Sequence, residues 1–202
     1  MELATLGLML VGYLLGSVPF SFLVARTKGI DLRKVGSGNT GASNVWRNAG
    51  FTYFLVALIL DIAKGWLPAF LAHSVFNVSA LGTILVGLST ILGHVYPIFM
   101  RFRGGKAVAT SAGVILGFAP VLTVIGAITW AIVYRVSRYP SVASLTDAVV
   151  VAIVGTIMML FDALDPVYAL FIWIVAAYIF YLHRANIQRL MRGQEIGIGS
   201  KR

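Results

Sequence analysis

Residues Gly36 to Gly50, GSGNTGASNVWRNAG, gather glycines, small hydroxyl and amide side chains and one arginine between two apolar runs. That mixture suits an anion. Glycine lets a backbone approach a ligand closely, hydroxyls and amides supply donors, and a guanidinium grips phosphate oxygens bidentately. Gly36, Ser37, Gly38, Asn39 and Arg47 are therefore candidate phosphate-binding residues. A second segment, Arg103-Gly104-Gly105-Lys106, precedes an apolar run, where free N–H groups at a helix N-terminus would join a lysine. Its glycines are too closely spaced for a Walker A loop. In a third, His183 and Asn186 stand three residues apart and would share one side of a continuing helix. A neutral imidazole there can accept a proton while the amide orients a hydroxyl. Each segment also has a plain structural explanation: a flexible turn, a charged helix stop, an interfacial histidine.

The elements that must carry these segments are membrane helices. The chain has 202 residues, of which 59% are hydrophobic and 11% charged, against about 25% charged in soluble domains. Mean hydropathy is +0.90. Apolar runs extend over about Leu3 to Ala25, Phe51 to Ala72, Ser79 to Met100, Ala107 to Tyr134, Thr146 to Phe161 and Pro166 to Leu182. The fourth is long for one crossing, yet each half around Pro120 is shorter than the ~17 residues a span needs.

Charge decides how to read it. If the fourth run turns back near Gly117 to Pro120, one side holds Arg26, Lys28, Arg33, Lys34, Arg47, Arg101, Arg103, Lys106, Arg135, Arg138 and the tail Arg184 to Arg202. The other side holds only His73, Asp162 and Asp165. Cytoplasmic loops retain Lys and Arg, so the expectation is an all-α integral membrane protein of about seven spans, with the N-terminus outside and the C-terminus cytoplasmic. It is read as a single membrane-embedded domain, residues 1–202. The sixteen Lys and Arg against seven Asp and Glu thus report topology, not nucleic-acid binding. Met1 to Thr5 carries Glu2 and no basic residue, so it is not read as a secretory signal.

All three polar segments fall on the cytoplasmic side in this reading and are candidates for one site. Asp61 and Lys64, at helical spacing inside the second run, are costly in lipid unless paired, and are expected to pair for packing. His94 is expected to make a structural hydrogen bond. Asp165-Pro166 reads as an N-cap followed by a first-turn proline, and Ser144-x-x-Asp147 has capping-box spacing. The four tryptophans are read as interfacial or packing residues. No cysteine is present and the three histidines form no metal cluster, so no metal or cofactor is expected.

With these segments in order, the chain resembles the bacterial membrane acyl-phosphate:glycerol-3-phosphate acyltransferases, the PlsY family. Gly36 to Gly50 resembles the family pattern GSGNxGAxNVxRxxG, Leu92 to Thr110 the pattern LGHxxPxFxxFxGGKxVAT, and His183 to Glu195 the pattern HRxNIxRLxxGxE. Thr40 stands where proline is frequent, Ser43 replaces a threonine, Ala107 replaces the glycine after the lysine, and Pro140 alters a stretch similar to VSLAS. The resemblance implies a seven-helix fold. It also implies transfer of a fatty acyl group from acyl phosphate to the 1-hydroxyl of sn-glycerol 3-phosphate, giving lysophosphatidic acid and phosphate at the cytoplasmic face of a bacterial inner membrane. Partners would be those two substrates and membrane lipid; the sequence does not fix the oligomeric state, and a monomer is plausible.

Carried over to this chain, the resemblance implies that Ser37 and neighbouring amides hold a phosphate, with Gly104, Gly105 and Lys106 contributing. Arg47 and Lys106 would neutralise substrate charge, and Ser144, His183 and Asn186 would position glycerol 3-phosphate. Spacing to Leu145 favours Ser144 over Ser141 as the matching serine, and Glu195 is expected to hold the tail through a basic residue. His183 or the departing phosphate would take the hydroxyl proton. A His-x4-Asp dyad is ruled out, because Val78, Phe99 and Gln188 follow the three histidines at that spacing. A membrane transporter of phosphorylated anions is the competing class, one that would need charges along a path open to both sides.

Overall fold

A computed structural model describes residues 3–198. Glu2, Lys201 and Arg202, used above in judging a signal and a basic tail, lie outside the described residues. The described residues contain helices and no strand. They form two compact units, residues 3–118 and 119–198.

In the first unit α1 (Leu3–Ser17) breaks at Val18-Pro19 and resumes as α2 (Phe20–Arg26). Proline has no N–H to continue the ladder. A loop leads to α3 (Ala42–Ala49), and Gly50 at φ +99° turns the chain into α4 (Phe51–Phe70), which ends in a wider π turn at Leu71–Val75. Trp46 of α3 stacks on Phe54 of α4 with ring centroids 4.5 Å apart, so this tryptophan packs. The chain returns through α5 (Ala80–Val95), capped by Ser79, and the unit closes with α6 (Val108–Leu116).

Glycines set the helix contacts. Gly12 and Gly16 of α1 lie against Val86, Ser89 and Thr90 of α5, while Gly65 of α4 lies against Thr110, and Gly113 of α6 against Ile62 and Trp66. Such bare surfaces let backbones meet, which is how helices associate where lipid removes the hydrophobic drive between them. Ser89 adds a hydrogen bond to the Met9 carbonyl at 2.9 Å.

The second unit holds α7 (Pro120–Ser137), α8 (Pro140–Leu160), α9 (Pro166–Leu182) and α10 (Arg184–Met191). Asp165 caps α9, accepting from the Val167 amide at 2.7 Å, with Pro166 in the first turn as expected. The capping box at Ser144 is not present. Pro140 starts α8 from Tyr139, so Ser144 and Asp147 are interior to that helix and the fifth apolar run begins earlier than its apolar residues suggest. Trp130 stacks on Tyr134, and Trp173 donates to Thr156 at 2.9 Å.

Burial differs from that of a soluble protein in that many polar side chains join the apolar core while large apolar ones face outward. Thr5, Ser17, Ser21, Asp61, Lys64, Thr83 and Thr90 are inside, while Leu3, Leu10, Ile59, Val121, Ile132 and Leu160 point outward. That pattern fits hydrocarbon as the solvent. Five segments are long and apolar enough to cross: 3–26, 51–75, 80–100, 120–137 and 140–160. The pair α9 and α10, bent by 57°, makes a sixth if counted as one. The fourth apolar run does break between Leu116 and Pro120. Its first half, α6, has nine residues, about 14 Å of helix against a ~30 Å hydrocarbon core. It is short because it starts at Val108 and stops at the break of residues 117–119. Five or six helical segments therefore qualify by length and composition, and α6 is not among them.

Candidate functional site

The segment Gly36 to Gly50 is organised by a residue that composition did not single out. Asn44, on α3 and 1% exposed, donates through Nδ2 to the carbonyls of Leu32 at 3.1 Å, Val35 at 3.1 Å and Asn39 at 2.9 Å. Its Oδ1 accepts from the Ser37 amide at 3.1 Å and from Asn48 Nδ2 at 3.0 Å. One side chain thus gathers the loop onto α3. Gly36 sits at φ +57°, and a Cβ there would overlap Asn44 Oδ1. Both facts demand glycine.

This geometry corrects the expected amide cradle. The amide of Ser37 is taken by Asn44, that of Gly38 donates to the Val35 carbonyl at 3.0 Å, that of Asn39 to Ser37 Oγ at 3.4 Å, and that of Gly41 to Asn39 Oδ1 at 2.9 Å. An anion here would be met mainly by side chains. Arg47 lies on α3 one turn beyond Asn44, with Nη1 3.5 Å from the Ser43 carbonyl. Ser37 and Arg47 are therefore brought into register by one hub. Before them in the same loop Arg33 clasps Asp31 through Nε at 2.9 Å and Nη2 at 2.7 Å. The hydrogen bond from Arg33 holds the Asp31 carboxyl well below its ordinary range.

The second segment is also set by neighbours. After Pro97 a short 3₁₀ turn and two left-handed residues, Arg101 and Phe102, reverse the chain along the end of α5. The Gly104 amide donates to the Val95 carbonyl at 3.0 Å and the Gly105 amide to the His94 carbonyl at 3.2 Å. Neither is a free N–H, which corrects the helix N-terminus expectation. A Cβ on Gly104 would strike the His94 carbonyl, and one on Gly105 the His94 ring. Lys106 follows, then Ala107 at φ +62°, then α6. Ala107 thus holds a left-handed backbone that glycine would adopt at less cost.

Beneath this turn lies a polar cluster. Asp61 and Lys64 form the expected pair at 2.9 Å, with side chains 2% and 1% exposed. Ser21 donates to Asp61 Oδ2 at 2.6 Å, and Lys64 donates to the Val18 carbonyl at the α1–α2 break at 2.8 Å. His94 Nδ1 stands 3.9 Å from Asp61 Oδ1. A cleft is lined by Ser17, Ser21, Thr40, Asp61, Lys64, His94, Gly104 and Gly105. The first segment, through Thr40, and the second, through its glycines, thus share one cleft in the first unit.

In the second unit His183 occupies the bend between α9 and α10, and both His183 and Asn186 are buried while Arg184 and Ala185 between them are exposed, as the spacing predicts. His183 Nδ1 lies 2.9 Å from the Ile179 carbonyl. A carbonyl only accepts, so Nδ1 carries the hydrogen and Nε2 is the basic nitrogen of the neutral ring. Asn186 donates to Glu195 Oε1 at 2.6 Å, Ser141 to the same oxygen at 2.9 Å, and Arg189 Nε to Oε2 at 2.8 Å. Glu195 does hold the tail through a basic residue, but it is also the junction that fixes Asn186. Ser141 belongs to this junction; Ser144 accepts from Trp130 Nε1 at 3.1 Å instead. Among the described residues no group of His, Asp and Glu could hold a metal ion.

Residues 6–193 match the family described as glycerol-3-phosphate acyltransferase. The chain belongs to that family. This acyltransferase is 47% identical to the glycerol-3-phosphate acyltransferase of Roseiflexus sp. (strain RS-1), covering 96% of this chain and 95% of the relative. It is 42% identical to that of Aquifex aeolicus, covering 93% and 96%. Among solved structures, the acyltransferase is similar to PlsY (YgiH), an integral membrane glycerol 3-phosphate acyltransferase, in its glycerol 3-phosphate form, at 36% identity, TM-score 0.88 and 96% of each chain. The lysophosphatidic acid form of PlsY (YgiH) matches at 35% identity and TM-score 0.86, covering 96% and 95%.

Proposed function

We propose that this acyltransferase moves a fatty acyl group from acyl phosphate to the 1-hydroxyl of sn-glycerol 3-phosphate. The products are 1-acyl-glycerol 3-phosphate (lysophosphatidic acid) and inorganic phosphate, which begins phospholipid synthesis. The observation that carries the reading is full-length similarity to an acyltransferase whose two structures are its glycerol 3-phosphate and lysophosphatidic acid forms.

The donor is already activated, so the protein needs chiefly to align a hydroxyl with a carbonyl and to stabilise charge. The hydroxyl oxygen attacks the acyl carbon, the carbon–oxygen bond to phosphate breaks, and the proton leaves with phosphate. Ser37, Arg47 and Lys106 meet phosphate oxygens; Gly36, Gly38, Asn39, Gly104 and Gly105 shape the segments that present them. Asn186, His183 and Ser144 orient glycerol 3-phosphate. Nε2 of His183, the nitrogen left basic by the Ile179 contact, accepts from the other hydroxyl of glycerol 3-phosphate and so orients it, which leaves the proton of the attacking hydroxyl to the phosphate leaving group. No covalent acyl-enzyme forms.

The whole chain serves as one acyltransferase domain in a bacterial inner membrane, with the basic loops cytoplasmic, the N-terminus outside and α6 as a short seventh segment. The break between α6 and α7 and the asymmetry of Lys and Arg support this arrangement.

Purified protein in lipid, supplied with acyl phosphate and labelled glycerol 3-phosphate, is expected to form labelled lysophosphatidate without ATP or metal. Product from acyl-CoA but not acyl phosphate would sink the donor assignment, and uptake without esterification would make the protein a transporter. His183→Gln is expected to keep a measurable turnover at saturating glycerol 3-phosphate. Complete loss of turnover in a folded variant would make the histidine an obligatory base.

A further inference from the structure

The geometry points to His94 as a positioning residue: its ring, backed by Asp61, sets where Gly105 and hence Lys106 stand. The inference rests on the assignment of Lys106 to a phosphate group.

Glycine at 105 has a cause inside the protein. A Cβ built there has His94 Nε2, Cε1 and Cδ2 as its three nearest neighbours, so the ring stands where a side chain would go. Gly104 differs, because its Cβ would strike the His94 and Val95 carbonyls, backbone that cannot move aside. The His94 and Val95 carbonyls also accept the Gly105 and Gly104 amides. Backbone pairing fixes the height of the turn on α5, and the ring fixes how closely it approaches.

The ring borders the polar cluster. Its Nδ1 faces Asp61 Oδ1 at 3.9 Å, and Asp61 is held by Ser21 at 2.6 Å and Lys64 at 2.9 Å. Lys64 reaches the Val18 carbonyl exposed by the break before α2. Ser21 of α2, Asp61 and Lys64 of α4 and the Val18 carbonyl between α1 and α2 thus form one network, which borders, through Asp61, the imidazole beside the residue before Lys106. A pair retained only for packing would have no reason to meet that turn. A displaced ring would let Gly105 move and carry Lys106 with it, weakening phosphate binding without touching the reacting atoms.

A double-mutant cycle over Gly105→Ala and His94→Ala tests this, with steady-state kinetics for both substrates and thermal unfolding on each variant. Gly105→Ala is expected to raise KM for at least one phosphate-bearing substrate about tenfold with kcat within about twofold, a change in binding and not in chemistry. His94→Ala is expected to shift KM in the same sense. Combining them makes room for the new methyl, so the double variant should bind substrate better than Gly105→Ala alone. A Gly105→Ala enzyme with unchanged KM, or a double variant no better than it, overturns the proposal. If His94→Ala does not fold, His94→Gln decides, since it restores bulk against Gly105: KM within about twofold of the parent supports the ring as a spacer, and a tenfold rise at an unchanged melting temperature overturns it. Lys106→Ala with unchanged KM would refute the role given to Lys106, whereas the coupling between positions 94 and 105 is read separately from the unfolding temperatures.

Discussion

Asn44 and Glu195 do comparable work in their own segments, each by satisfying several partners at once. Asn44 donates to three loop carbonyls and accepts from an amide, the bond to the Leu32 carbonyl being buried and the others partly so. Removing it orphans those groups, and an orphaned buried carbonyl or amide costs about 1–3 kcal/mol. Asn44→Ala is therefore expected to lower the melting temperature by several degrees and abolish acyl transfer. Asn44→Asp, which keeps the acceptor but loses the donors, should not rescue it. An unchanged melting temperature for Asn44→Ala would show that the loop is held by other means. Both hubs were hard to see in sequence. Asn44 sits among similar small polar residues, and nothing in its type separates a hub from a ligand contact. Glu195 was legible as a tail anchor because carboxylates near a basic tail pair, but its bonds to Ser141 and Asn186 depend on where the chain after α10 returns.

At the scale of elements the turn between α5 and α6 carries the largest departure from expectation. Two glycines before a lysine suggested free amides at a helix start; instead the amides bond backward to α5, and the helix begins only after a left-handed residue. That residue, Ala107, is 1% exposed and sits at φ +62°. A left-handed conformation costs an L-residue about 1–2 kcal/mol relative to glycine. Ala107→Gly is accordingly expected to leave activity intact and to leave the melting temperature equal or higher, despite the added freedom of the unfolded chain. A clear drop in melting temperature would mean that the alanine methyl packs usefully there. The break before Pro120 was legible because proline lacks the N–H that a continuing helix requires. The shortness of α6 was legible for the same reason, whereas α7 runs on to Ser137, past the last apolar residues of its run, and reaches spanning length.

For the whole molecule, the arrangement in the membrane is open to a direct test, since the chain has no cysteine of its own. Single substitutions Thr27→Cys, Arg138→Cys and Gln194→Cys should react with an impermeant maleimide only from the cytoplasmic side. Ser74→Cys and Ala163→Cys should react from the other side. Phe118→Cys decides whether α6 carries the chain across: labelling from outside supports seven segments, and labelling from the cytoplasm removes α6 from the count.

Composition and the length of the apolar runs determined that this is a helical protein of the bilayer, because a span must satisfy its own backbone in hydrocarbon and long continuous apolar runs do so as helices, whereas barrel strands alternate apolar with polar. Motif order determined the family. The candidate side chains Ser37, Arg47, Lys106, His183 and Asn186 were visible as types suited to an anion and a hydroxyl. The tertiary structure decided which donors are already spent. The amides of Ser37, Gly38, Gly104 and Gly105 look available in any one-dimensional reading, yet each is bound by an acceptor nearby in space. The structure also decided that Asp61, Lys64 and His94, from two helices, meet beside Gly105. Hydrogen-bond satisfaction is a property of folded neighbourhoods, and sequence spacing predicts it only within a turn or two of helix.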